Sequence, residues 1–336
     1  MNLSRSGFLA LCAALPLALA GCDSSQDSAV SQDGATKTEG SSSTTTPAKV
    51  RLGTLPTEDI LPMWVAEAEG LFEPAGIECS ISTFQSATEL IAAVSAGEVD
   101  VAMTDPMVTA SLFASGTDVR ICWICLGTDA SQGRFGIMTA DGSITSPGNL
   151  AGHEIGVGSN TILEYVMDKL MREAGVPEEQ IVKAELQKLP VRYEAMASGQ
   201  VAAAALPASL LALGEASGFV CVADDTTGEN ISQSVMIARE EWLGGEDGQA
   251  ALDALKSVWN EAAERINDTP EDYRALLVEK ASLAESISDT YPISTYPQAQ
   301  LPSEQMVADV LSWMEEKGYL SEPLSYNAAD GTFAKN

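Results

Sequence analysis

The side chains that most often perform chemistry are scarce or badly placed in this sequence. Its one histidine, His153, opens HEIGV, at the start of a predicted strand and not at its carboxyl end, so it reads as an edge residue and not as a general base. Cys122 and Cys125 have the C-x-x-C spacing of redox and metal sites, but they sit in VRICWICLG, an apolar run that reads as a buried strand. Three residues apart on a strand, their side chains are expected on opposite faces, as packed thiols, and Cys79 and Cys221 are expected to pack likewise. Neither G-x-S-x-G, H-E-x-x-H nor G-x-x-x-x-G-K-S/T occurs, and GVGSNT lacks the third glycine of a dinucleotide fingerprint. One histidine also disfavours a transition-metal site. No catalytic group, cofactor or metal is expected.

What remains is a set of polar residues suited to holding a solute, each in a loop predicted to follow a strand and open a helix. In the first half these are Thr57, Glu58 and Asp59; Phe84, Gln85 and Ser86; and Thr104 with Asp105. In the second half they are Ser159, Asn160 and Thr161; Arg192; and Pro207. Free N–H groups at helix N-termini favour anionic or carbonyl oxygen, which makes such loops ligand sites. Asp105 and Ser86 are equally good helix N-caps, Asp105 before Pro106 and Ser86 in a capping box with Glu89; Thr161 and Glu164 predict a second box. Arg192 opposes the dipole of its helix, so it calls for an anionic partner, a ligand or a carboxylate across a cleft. Arg134 is expected in an ion pair between lobes, and Trp64 in the core.

Periodicity supplies the elements that carry these loops. VRLGTL, IECSIST, VDVAMT and VRICWICL read as strands, with helical patterns between them. The plan then recurs. AAVSAGEVDVAMTDPMVTASLFASGTDVRIC and EAMASGQVAAAALPASLLALGEASGFVCVA both read helix, glycine stop, strand, proline-started helix, glycine stop, strand. Repeated β–α units predict an α/β protein of two lobes with mixed, mainly parallel sheets and a ligand cleft between them. The expected division is a lobe 1 of residues 48–136 and 226–336 and a lobe 2 of residues 137–225, with ISQSVMIA returning to lobe 1.

Ahead of this body lies an export signal. Arg5 precedes an apolar stretch from Phe8 to Ala20, which is too short to span a bilayer. Leu19, Ala20, Gly21 and Cys22 resemble the bacterial lipobox, so residues 1–21 are expected to be removed and Cys22 lipidated. The Ser- and Thr-rich run to residue 47 buries almost nothing and is expected to form a disordered tether with a reach of roughly 25–30 Å. The protein is thus expected on the extracytoplasmic face of a cell membrane, as a monomer. A net charge of −30, from 18 Lys and Arg against 48 Asp and Glu, argues against a nucleic-acid partner.

LPMWVAEAEGLFEPAGIECSIS, ATELIAAVSAGEVDVAMTD, LAGHEIGVGSNTILEYVMDKLMREAG and VRYEAMASGQVAAAALP resemble the nitrate/sulfonate/taurine and thiamine-precursor group of ABC-transporter substrate-binding proteins. The resemblance implies a type II periplasmic-binding-protein fold that closes on a small solute and presents it to a membrane permease. It implies ligand contacts from Thr57 to Asp59, Phe84 to Ser86, Thr104, Asp105, Ser159 to Thr161 and beyond Pro207. Ala202 and Ala208 stand where relatives often carry an acid or aromatic residue, which removes side chains from one cleft wall. Two other readings remain: a pyrimidine-synthase-like enzyme on the same fold, needing a histidine and a cofactor lysine in the cleft, and a sensor or adhesion lipoprotein with no closing cleft.

Overall fold

A computed structural model describes residues 47–281 and 283–336; the expected signal peptide, Cys22 and all of the tether but its last residue lie outside the described residues. Ten strands form two five-stranded sheets. The first contains β1 (Ala48–Thr54), β2 (Ile77–Thr83), β3 (Val101–Thr104), β4 (Val119–Leu126) and β10 (Ser234–Arg239), in the order β2-β1-β3-β10-β4. The second contains β5 (Phe135–Thr139), β6 (Glu154–Val157), β7 (Val182–Glu185), β8 (Ala203–Pro207) and β9 (Val220–Asp224), in the order β7-β6-β8-β5-β9. A short hairpin, β11 (Leu324–Asn327) and β12 (Thr332–Lys335), ends the chain.

The two orders are one order written twice. In each sheet the first three strands are parallel, and a reversed strand separates them from the last, which therefore runs with them. The reversed strand is in each case the one that has crossed from the other lobe: β5 enters the second sheet after β4, and β10 returns to the first after β9. The sheets are thus mixed: four of the five strands in each run one way, but the reversed strand makes two of the four pairings antiparallel. The helices α1 (Leu61–Ala68), α2 (Ala87–Ser95), α3 (Pro106–Ala114), α4 (Ile162–Glu173), α5 (Leu189–Ala197) and α6 (Ala208–Ala216) connect the strands. Gly97 and Gly199, at matching places after α2 and α5, both take the left-handed backbone that stops a helix cheaply only at glycine (φ 71° and 73°).

The remaining helices, α7 (Glu240–Leu243), α8 (Gly248–Asp268), α9 (Arg274–Lys280), α10 (Glu285–Ser288) and α11 (Glu304–Lys317), follow β10. One core lies under α1 and α8 and holds Trp64, Trp123 and Trp259. A second core joins residues of both lobes, from Leu90 and Met107 through Ile155 and Val166 to Val307 and Trp313 of α11. Among the described residues no helix is long and apolar enough to cross a membrane.

Two expectations change. Cys122 and Cys125 are free, as packed thiols should be, but they share one core and do not take opposite faces. The cause is a pair of bulges. β4 skips Cys122 between the pairs Ile121–Ile237 and Trp123–Met236, and skips Cys125 between Ile124–Val235 and Leu126–Ser234, so the two-residue alternation fails. Burial pushes the Cys122 thiol up to about 12, far from a reactive thiolate. Arg134 does form ion pairs, to Glu215 and Asp224 at 2.8 Å each, but it sits in the crossing segment one residue before β5, so the pairs fasten that crossing to the second sheet. Trp64 is core, and His153 lies exposed in the turn before β6.

Candidate functional site

The carboxyl ends of β1, β2, β3, β6, β7 and β8 and the amino ends of the two reversed strands, β5 and β10, meet at one gap between the lobes. There they enclose a cavity of about 60 Å³. Lobe 1 lines it with Leu55, Thr57 and Asp59 after β1, Ser86 and Ala87 after β2, Met103, Thr104 and Asp105 at the end of β3, and Ser234 at the start of β10. Lobe 2 adds Phe135 from β5, Thr161 to Leu163 after β6, Gln187, Leu189 and Arg192 after β7, and Pro207 from β8. Eight of the expected residues therefore meet: Thr57, Asp59, Ser86, Thr104, Asp105, Thr161, Arg192 and Pro207.

Five do not line the cavity. Glu58 turns into lobe 1, where the Tyr291 hydroxyl donates to it and Tyr296 donates to its carbonyl at 2.7 Å; burial, reinforced by the Asp59 charge, pushes its carboxyl up to about 7. Phe84 packs on the shared core and Gln85 is exposed. Ser159 is tied to Glu185 through both its amide and its hydroxyl. Asn160, a non-glycine with left-handed backbone (φ 57°), instead reaches across the gap, its Nδ2 donating to Ser111 Oγ at 2.5 Å. The lining residues that sequence reasoning missed are mostly apolar or come from the crossing strands. Gln187 lies five residues before Arg192, the residue named for that turn, and nothing local marks Phe135 or Ser234.

The two aspartates occupy different positions. Asp105 caps α3, its Oδ1 accepting from the Val108 amide at 2.8 Å, as the sequence predicts. Its Oδ2 also accepts from the Ile162 amide at 3.2 Å, and so fills the N-terminus of α4 in the opposite lobe. The capping box expected of Thr161 and Glu164 does not form. Thr161 Oγ1 turns back to the Gly158 carbonyl at 2.7 Å, and Glu164 accepts from the Asn160 amide at 2.6 Å. Burial pushes Asp105 up to about 6 against the pull of these amides. Ser86 meets its half of a box, accepting from Glu89 at 3.2 Å, while Glu89 takes the amide of Gln85.

Arg192 finds no anionic partner. It is 1 % exposed, and its Nε, Nη1 and Nη2 donate to the carbonyls of Leu186, Ala205 and Gln187 at 2.8, 2.9 and 3.2 Å. Burial lowers it to about 10. The glycines of GVG make this possible. A Cβ on Gly158 would lie 2.6 Å from Arg192 Nη2, and one on Gly156 would lie 3.2 Å from its Cγ. They clear a channel for a side chain, where a dinucleotide fingerprint would use glycines to admit a pyrophosphate.

Two mixed α/β sheets of one wiring, joined by two crossing segments around a gap, define a type II periplasmic-binding-protein fold. The model of the family described as NMT1/THI5 like matches residues 57–271, more than half of the chain, and the chain belongs to that family. No curated protein matches it in sequence. Among solved structures it is similar to the alkanesulfonate-binding protein SsuA from Xanthomonas axonopodis pv. citri bound to MOPS, at 15% identity over 83% of this chain and 96% of that one, with a TM-score of 0.70. It is similar also to the periplasmic aliphatic sulphonate binding protein SsuA from Escherichia coli (16% identity, 82% and 95% covered, TM-score 0.69). The periplasmic nitrate-binding protein NrtA from Synechocystis PCC 6803 is a third (12%, 82% and 83%, TM-score 0.66). At these identities the likeness is one of fold.

Proposed function

We propose that the chain is the extracytoplasmic solute-binding lipoprotein of an ABC importer, anchored to the membrane through Cys22 and acting without chemistry on its solute. The observation that carries this reading is a cavity at the strand ends to which both lobes contribute, bridged by the hydrogen bond from Ile162 of one lobe to Asp105 of the other. A solute held there contacts both walls only when the lobes are closed, so its binding energy favours the closed form, and a permease that prefers that form receives the solute. The family and the fold of its sulfonate- and nitrate-binding neighbours support the same role. The polar lining consists of hydroxyls, an amide, two carboxylates and a guanidinium whose nitrogens all have carbonyl partners, which suits holding a solute better than attacking one.

Small-angle scattering on the chain carrying Cys22→Ser, with and without pooled small metabolites, tests capture. Compaction by at least one pool is expected, and none with any pool would overturn the reading. Anchoring has its own test: an alkyne-tagged fatty acid fed to expressing cells should label the wild-type chain and not Cys22→Ser. Equal labelling of the two would remove Cys22 as the anchor.

A further inference from the structure

The charges around the cavity are unequally satisfied. On the lobe 2 wall, each guanidinium nitrogen of Arg192 already donates to a backbone carbonyl, which uses three of its five N–H groups. The N-terminus of α4, where an anionic group of a solute would find free N–H donors, is filled from across the gap by Asp105, whose other oxygen caps α3. Asp59 is different. It is 6 % exposed, it lines the cavity, and it makes no hydrogen bond or ion pair with any described residue. A carboxylate buried to that degree is costly without a partner, and this residue borders the cavity. The same lining includes Thr57 and Thr104, hydroxyls that accept as readily as they donate.

We infer that the solute is a small organic cation, an amine or amidine, whose charged nitrogen sits on Asp59, and that sulfonates and nitrate are excluded because Asp105 holds the place an anion would take. This rests on the solute-capture reading above and names the class of solute. The cavity of about 60 Å³ sets its size at roughly four to six non-hydrogen atoms in the closed form, since a water-sized group needs on the order of 10–15 Å³ of such space. The apolar lining of Leu55, Met103, Phe135 and Leu163 would contact its carbon atoms.

Isothermal titration calorimetry on the full chain in detergent, with ethanolamine and methylguanidine as cations and ethanesulfonate and nitrate as anions, tests this. At least one cation is expected to bind and neither anion to bind comparably. Asp59→Asn should weaken the cation about tenfold to a hundredfold, the worth of a charged hydrogen bond. Should Asp59→Asn fail to fold, the wild-type preference for cation over anion still decides. Binding of ethanesulfonate or nitrate as tight as that of the cations overturns the inference and leaves solute capture standing, as does a folded Asp59→Asn that binds the cation like the wild type. Silence towards all four compounds also overturns it. Capture itself then fails only if the scattering experiment shows no compaction with any metabolite pool.

Discussion

Glu58 and Asp105 are neighbours of the cavity whose carboxyls are held above the ordinary range, at about 7 and about 6, chiefly by burial. Both titrate lower in the unfolded chain, so between about pH 4 and 7 the native state binds more protons than the unfolded one, and stability falls as pH rises through that window. Each costs on the order of 3 kcal/mol once fully ionised. Asp100 works in the other direction. Burial raises it, but Arg51 and Arg239 hold it below its usual value, so its stabilisation is lost only as pH falls below the ordinary carboxylate range. The melting temperature is therefore expected to be higher at pH 5.5 than at pH 8, and Glu58→Gln should flatten the slope above pH 6 and raise the melting temperature at pH 8. An unchanged slope in Glu58→Gln would show that this carboxyl is not the group responsible.

Among the helices that start on the gap, α4 has its first amide taken by a carboxylate of the opposite lobe. Asp105→Asn keeps an oxygen for Val108 but replaces the acceptor facing Ile162 with an amide or leaves it misdirected, so a cross-lobe bond worth about 1–3 kcal/mol is lost. The expected result is a more open chain in scattering without solute, with the circular dichroism of the wild type. The strand-to-helix turn before α4 has its own constraint. Gly158→Ala would place a methyl 2.6 Å from Arg192 Nη2 and 2.9 Å from Gln187 Oε1, at the end of two side chains that can give way only partly. A loss of about 1–3 kcal/mol is expected in denaturant unfolding, and no loss would show that Arg192 has another place to go.

At the scale of the molecule, the repeat is closed by something outside it. α11 packs on α3 of lobe 1 and bonds to α4 of lobe 2 through Asp168, which is fully buried and receives Trp313 Nε1 at 3.2 Å, Lys317 at 2.7 Å and Lys183 at 2.9 Å. Arg172 of α4 pairs with Glu316 at 2.8 Å, and the Tyr319 hydroxyl donates to Glu164 at 2.8 Å. Removing the buried anion leaves Lys183 with Glu164 and Lys317 with Glu178 but takes the acceptor from Trp313, so Asp168→Ala should cost about 1–3 kcal/mol. Amide exchange should quicken first in α11 and α4; if it quickens evenly across both lobes, this seam is not what ties the C-terminal helix down.

Much of this was legible in the chain. The doubled order of strand, helix and stop predicts both sheets, because local hydrophobic period and glycine or proline punctuation decide where strands and helices run. Asp105 as an N-cap, Trp64 as core and the return of β10 follow from the same local rules. Eight of thirteen expected loop residues meet at the cavity because a parallel β–α unit puts its turn at the strand's carboxyl end wherever it occurs. What local pattern leaves open is which partner a side chain finds across space. Only the tertiary structure sends Glu58 inward, gives Arg192 three carbonyls in place of an anion, puts Cys122 and Cys125 in one core through two bulges, and brings Asp105 to a helix in the other lobe. Those outcomes depend on contacts between residues far apart in the chain, and no short-range period records them.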